Sequence, residues 1–216
     1  LLLAERDREA ETAALVPVPD RIAASRFKDF VTDPQAVARA LRRPMPERPF
    51  RQTRLGTRFH AWVENRYGMA GSAELIDGDF VDGDGLSDEL PLEQSQLAML
   101  QQTFENSPWA QLKPIEVETE IHLVLGSRIV VCKIDAIFFD GERYQVVDWK
   151  TGKAPSDDDD LEVKQLQLAL YRLAYARWKN IDPQLIDAVF YFVADDEIVR
   201  PSRLYSEQQL IELWPF

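Results

Sequence analysis

Asp148 and Lys150 stand two residues apart in Val147-Asp148-Trp149-Lys150-Thr151-Gly152, and Asp135 closes Val131-Cys132-Lys133-Ile134-Asp135 one segment earlier. Residues two apart in a strand point to the same face, so Asp148 and Lys150 aim at one place. A carboxylate can hold a divalent cation while a neighbouring ammonium faces a phosphate. That pairing suits metal-dependent hydrolysis of a phosphodiester.

Strands must deliver these groups, and the chain has the pattern for them. Residues 115–125, 128–140 and 143–150 alternate apolar and polar, with Gly126-Ser127 and Asp140-Gly141 as tight-turn signals between them. If Gly126-Ser127 closes the first hairpin, Glu118 lies opposite Asp135 and Glu120 opposite Lys133. If Asp140-Gly141 closes the second, Asp135 lies opposite Val146 and Lys133 opposite Asp148. Opposed residues share a face. Both glutamates, both aspartates and both lysines then form one polar face. Val117, Ile121, Cys132, Ile134, Val147 and Trp149 form the apolar one. Clustered acids are costly unless a cation neutralises them, and hard oxygen ligands suit magnesium or manganese.

Helices flank this sheet pattern. Residues 25–30, 35–43, 53–67 and 93–104 read as helices in the N-terminal half, with Asp33-Pro34 as a fresh start and Gly68 as a stop. Pro44, Pro46 and Pro49 make a rigid connection. Residues 161–178 form a long amphipathic helix, 185–193 a fourth strand and 206–213 a last short helix. The fold class is α+β, a sheet with a helical layer. Residues 1–20 read as a linker from a preceding region. Residues 21–216 read as one domain, mainly helical over 21–110, with the catalytic sheet and helix over 111–216. In the first long helix His60 and Glu64 stand one turn apart, and Gln167 and Tyr171 do so in the later one. Taken alone, His60 is more often a capped or core-edge histidine than a ligand, and a Gln–Tyr pair is more often a solvated helix face than a site.

Composition narrows the function classes. No run of about 18 apolar residues exists, so no membrane span is expected. A single cysteine, Cys132, excludes an internal disulfide and an iron–sulfur cluster. Cytoplasmic residence, beside the nucleoid, is the expectation. The net charge is −12, yet residues 1–70 hold 13 Lys and Arg against 9 Asp and Glu. Arg51, Arg54 and Arg58 belong to that basic stretch and are candidate contacts to a nucleic-acid backbone. Asp77, Asp79, Asp82, Asp84 and Asp88 suggest calcium, but Val81 and Leu86 spoil the EF-hand order, and a solvated loop is the better reading. Asp157–Asp160 reads as a helix lead-in favoured by the N-terminal dipole.

Gly56-Thr57-x-x-His60, Asp135, Asp148-x-Lys150-Thr151-Gly152 and Gln167-x-x-x-Tyr171, in that order, resemble the RecB-type branch of the PD-(D/E)XK nuclease superfamily. The resemblance covers residues 55–175, and Ser25-Arg26-Phe27 with Asp33-Pro34 resembles the family's opening segment. Gly-Thr-Arg-Phe-His-Ala-Trp-Val-Glu after a proline-rich run is similar to the C-terminal nuclease modules of actinobacterial AdnAB-type helicase–nucleases. The resemblance implies a restriction-endonuclease-like core and a magnesium- or manganese-dependent exonuclease acting on DNA ends in double-strand break repair. It also implies helicase motor domains in the same full-length chain and a second helicase–nuclease subunit. The first residue is not Met and no Walker-type phosphate loop occurs, so such a motor would lie outside this sequence. By the same resemblance His60, Asp135, Asp148 and the Trp149 carbonyl hold the metal, and Glu120 is favoured over Glu118 as a further acid. Lys150 activates the attacking water, and Gln167 and Tyr171 position Lys150 or the DNA backbone. The family often has Gly at the place of Cys132 and Arg at that of Ala136. The rival reading is a catalytically silent module that only holds DNA or a partner subunit.

Overall fold

The alternation after Ile115 does become sheet, and two glycines make its turns. Gly126 and Gly141 have φ of +61° and +105°, conformations that cost a side-chain-bearing residue about 1–2 kcal/mol. The computed structural model describes residues 17–44, 51–68 and 89–214, without the side chains of residues 51, 52 and 89–91. Most of the proposed linker, Pro46 and Pro49 of the rigid connection, and the aspartates at 77, 79, 82, 84 and 88 lie outside the described residues.

Among the described residues six strands form one mixed sheet. They are β1 (Arg21–Ala23), β2 (Glu116–Leu125), β3 (Arg128–Phe139), β4 (Tyr144–Lys150), β5 (Ile186–Phe192) and β6 (Glu197–Val199). β3 is the long central strand. β2 runs antiparallel along one edge. The other edge is shared, with β1 parallel at Ile129–Val131 and β4 antiparallel from Ala136 to Phe139. β5 lies parallel to β4, and β6 antiparallel to β5.

The helices are α1 (Ala24–Thr32), α2 (Pro34–Arg42), α3 (Arg51–Arg66), α4 (Glu89–Asn106), α5 (Asp158–Lys179) and α6 (Glu207–Glu212). Asp33 caps α2 by accepting from the Ala36 N–H at 2.8 Å. Asp157 caps α5, whose first turn holds Asp158, Asp159 and Asp160, so the acidic run is a helix start as expected. Among the described residues no helix is long and apolar enough to cross a membrane.

Alternation along β4 and β5 separates two cores. Val146, Ala188, Phe190 and Phe192 pack under α5 and α1. Val147, Trp149, Val189 and Tyr191 pack under α3 and α4, with Phe59, Val63 and Phe104. The apolar face read from the sequence is therefore split. Ile121, Cys132 and Ile134 join the α5 core, whereas Val147 and Trp149 join the other. Along β3 the parity changes core between Ile134 and Ala136, that is, at Asp135. Across the pair, Glu118 has φ of +48°, which interrupts the extended backbone of β2 at this point.

The first hairpin keeps the expected register, with Leu125 opposite Arg128 and Glu120 opposite Lys133. The second does not. Val146 pairs with Ile137, not with Asp135. Asp140 is the reason: its Oδ1 accepts from the N–H groups of Glu142 and Arg143 at 2.9 and 2.8 Å. That side-chain turn moves the reversal one residue along, onto Gly141-Glu142. The register slips by two, an even number, so Asp135 and Asp148 still share a face.

Candidate metal centre and lysine site

α3 lies over the sheet because Phe59 and Val63 are buried in the second core. His60 and Glu64, the next residue in each case, then line the polar pocket beside them. Gly56 permits the close approach: a Cβ there would sit 3.3 Å from Thr151 Oγ1, just past the end of β4. The pocket, about 480 Å3, is walled by α3, by Glu118 of β2, Lys133 and Asp135 of β3, Asp148 and Lys150 of β4, and Gln167 and Tyr171 of α5.

One half of the pocket gathers ligand atoms. His60 Nδ1 lies 3.4 Å from Asp135 Oδ1 and 3.5 Å from Glu118 Oε1. One ligand atom from each of His60, Glu118 and Asp135 falls within 4.8 Å of the others. Burial disfavours a charged His60, but hydrogen bonds to Asp135 and Glu118 and the charges of Asp135 and Asp148 outweigh it, pushing its pKa up to about 10. Burial raises the Glu118 pKa, yet hydrogen bonds from His60 and Lys133 bring it below its ordinary value. Lys133 Nζ stands 2.6 Å from Glu118 Oε2. Asp135 has a second task. Its Oδ2 accepts from the buried Trp149 N–H at 2.7 Å, holding β4 to β3 beyond the Ala136–Val147 pair.

The other half is closed on itself. Lys150 Nζ lies 2.6 Å from Asp148 Oδ2 and donates to Gln167 Oε1 at 3.2 Å. Gln167 Nε2 donates to Asp148 Oδ1 at 2.9 Å and contacts Tyr171 OH at 2.7 Å. The amide orientation follows from chemistry, since only its oxygen can accept from an ammonium. Burial pushes the Asp148 carboxyl up, against the pull of Lys150. Burial also opposes the charge on Lys150, but Asp148 more than compensates and raises it. Burial, helped by Asp148 and Asp135, keeps Tyr171 protonated far above neutrality.

The structure thus brings His60, Asp135, Asp148, Lys150, Gln167 and Tyr171 into one pocket. Trp149 meets the cluster through its N–H. Glu120 is a correction: it is exposed and paired with His122 Nε2 at 2.8 Å, while Glu118 turns into the pocket. The positive φ of Glu118 places it there, and motif spacing could not report that. The hairpin register, which set Glu118 opposite Asp135, was the signal that could. Lys133, read only as a charge on the face, proves to be the cation on Glu118. Arg54 has a partner within the fold. It donates to Glu93 Oε1 at 2.7 Å, and Glu93 is 4% exposed, so Arg54 ties α3 to α4. Arg58 is exposed, and the Arg51 side chain lies outside the described ones. Cys132 is buried in the α5 core, with its thiol pushed up to about 12 by burial.

The residues fit a divalent cation. One imidazole nitrogen and two carboxylates converge, and Asp148 Oδ2 is buried without a hydrogen bond of sound geometry beyond its ion pair. Mixed nitrogen and oxygen donors suit several divalent ions. A family model described as the PD-(D/E)XK nuclease superfamily matches residues 22–214. No curated relative matches the chain. Among solved structures, the crystal structure of SSO0001 aligns over 96% of this chain and 79% of that chain, at 13% identity and a TM-score of 0.41, a likeness too distant to argue from.

Proposed function

The chain belongs to the PD-(D/E)XK nuclease superfamily, and from that premise we propose a magnesium- or manganese-dependent deoxyribonuclease that cuts single-stranded DNA ends as an exonuclease. One observation carries the reading: His60, Glu118 and Asp135 converge beside a lysine held by Asp148 and Gln167. His60, Glu118 and Asp135 would hold the ion, with Asp148 and the Trp149 carbonyl reaching it from the adjoining strand. When bound, a divalent cation polarises a phosphoryl oxygen and makes a hydroxide available near neutral pH. Lys150 keeps its charge and presents it to the phosphate, where negative charge grows as the bond breaks. Gln167 fixes Lys150 and Asp148 relative to each other, and the neutral Tyr171 fixes Gln167. Asp135 holds the end of β4, so it sets the distance between the ion's ligands and Lys150.

The context we propose is a helicase–nuclease of double-strand break repair, with motor domains in the same full-length chain and a second helicase–nuclease subunit. Support comes from the motif order and from the charge. A domain of net charge −12 binds DNA poorly by itself, and a motor would supply the strand at high local concentration. Residues 21–216 would be the nuclease domain and 1–20 its linker. Of the three arginines first considered, Arg58 remains the best placed to meet DNA. The test is cleavage of an end-labelled single strand with magnesium or manganese, with and without chelator. Metal-dependent cutting that Asp135→Ala and Lys150→Ala both abolish is the expected result. Binding without any cutting, by a protein shown to hold metal, would favour the silent module.

A further inference from the structure

A second cavity of about 440 Å3 is lined by residues adjacent in sequence to those of the metal pocket. On α3, Gly56 and Thr57 line the metal pocket while Leu55 lines the second cavity. On the opposite wall, Lys150 lines the pocket, and the next three residues, Thr151, Gly152 and Lys153, line the cavity. The two walls meet at Gly56 and Thr151, where a Cβ on Gly56 would come within 3.3 Å of the threonine hydroxyl. Three residues of chain reach at most about 10 Å, so the cavity is a short step from the Lys150 ammonium.

α4 supplies the third wall, with Leu100 beneath and Met99 at the rim. Leu100 is 5% exposed but Met99 is 70% exposed, an apolar side chain the fold does not use. A thioether is a soft, adaptable surface that makes favourable contacts with aromatic rings. Lys153 adds a cation at the same rim. Leu55, Leu100 and Ala194 with a thioether and one cation, among the polar Gln96, Thr103 and Thr151, beside the proposed phosphate site, match a flat heteroaromatic base attached to a phosphate.

We propose that this cavity receives the nucleobase next to the phosphate held at the metal pocket. The base lies against Met99 and Leu55, and Lys153 meets the adjoining phosphate. The proposal rests on the nuclease reading for its substrate, but its test separates the two. Gly152 provides a clean variant. Its φ is not in the left-handed region, and nothing lies within 4 Å of a Cβ there. Gly152→Leu therefore adds bulk to the cavity wall without backbone strain, and Met99→Ser removes the thioether from a solvent-facing position on α4 without adding charge.

The experiment measures fluorescence anisotropy of a single-stranded thymidine tract and of an abasic tract of equal length, both in calcium. Wild type should bind the thymidine tract about 10-fold more tightly than the abasic one. Each substitution should bring the thymidine tract close to the abasic value and leave the abasic value unmoved. Hydrolysis of bis(p-nitrophenyl) phosphate in manganese, which offers no nucleobase, should be the same for wild type and both variants. Equal binding of the two tracts by wild type, or equal weakening of both by the substitutions, would overturn the subsite. A base preference in a protein that cuts no phosphodiester would overturn the nuclease reading and leave the subsite standing.

Discussion

The two halves of the pocket are built from the same kinds of residue and behave differently. His60, Glu118 and Asp135 face one another at 3.4–3.5 Å around a charged imidazole, longer than good hydrogen bonds. Asp148, Lys150, Gln167 and Tyr171 form a closed relay of contacts between 2.6 and 3.2 Å. The loose half can exchange a proton for a cation. The tight half fixes its lysine through Asp148 and Gln167, and only Asp148 Oδ2 is left to reach an ion beside it. Two acids of one motif therefore do unlike work: Asp135 links the halves through the Trp149 N–H, and Asp148 anchors the lysine.

Removing the link should do the most damage. Asp135→Ala takes a ligand from the loose half and the acceptor from Trp149 N–H, so cleavage should fall by about 1,000-fold or more. Stability should fall by about 1–3 kcal/mol, because a buried N–H is left without a partner. Asp135→Asn should restore much of the stability, since its carbonyl can accept, but not the cleavage. Denaturant melts beside single-strand cleavage read both; equal stability of the two variants would break the linking role.

Lys150→Met should come next. Cleavage should drop about 100- to 1,000-fold with manganese affinity changed little, since the loose half is intact. The buried Asp148 loses its counter-ion, at a cost of about 1–3 kcal/mol, discounted because Lys150 is about one-third exposed. A large loss of manganese binding would show that the halves are not separable. Gln167→Leu should lower kcat about 10-fold and leave KM and metal affinity alone, because it frees Lys150 without removing it.

The loose half should also report itself through pH. His60 has its pKa raised from 6.5 to about 10, so its contribution to metal-free stability is complete below pH 6.5 and is lost as pH rises toward 10. A metal ligand must be neutral, so ion binding near neutral pH must expel that proton. Affinity should therefore rise about tenfold per pH unit between pH 7 and 9. Calorimetry in buffers of different ionisation heat should find about one proton released per ion. His60→Gln should remove both the slope and the proton. The smallest effect belongs to Arg54. Arg54→Ala should cost about 1 kcal/mol through the buried Glu93 and leave DNA binding unchanged, whereas Arg58→Ala should weaken DNA binding and leave stability alone.

What could be read from the sequence was whatever depends on local period. His60 with Glu64 and Gln167 with Tyr171 lie on shared helix faces, and Asp148 with Lys150 on one strand face, because spacing alone decides that. β1 and β6 are three residues each and show no period to detect. The second hairpin slips because the Asp140 side chain fixes where the chain reverses around Gly141. Spacing alone does not choose Glu118 over Glu120, because a glutamate at φ of +48° is a tertiary outcome. The Arg54–Glu93 contact is not legible either, because the two residues lie 39 positions apart on different helices.

The whole mechanism turns on which acid holds the ion. Manganese binding should be measured by calorimetry for wild type, Glu118→Gln and Glu120→Gln. Glu118→Gln should lose at least 10-fold in affinity and Glu120→Gln none. The reverse order would contradict the His60–Glu118–Asp135 centre.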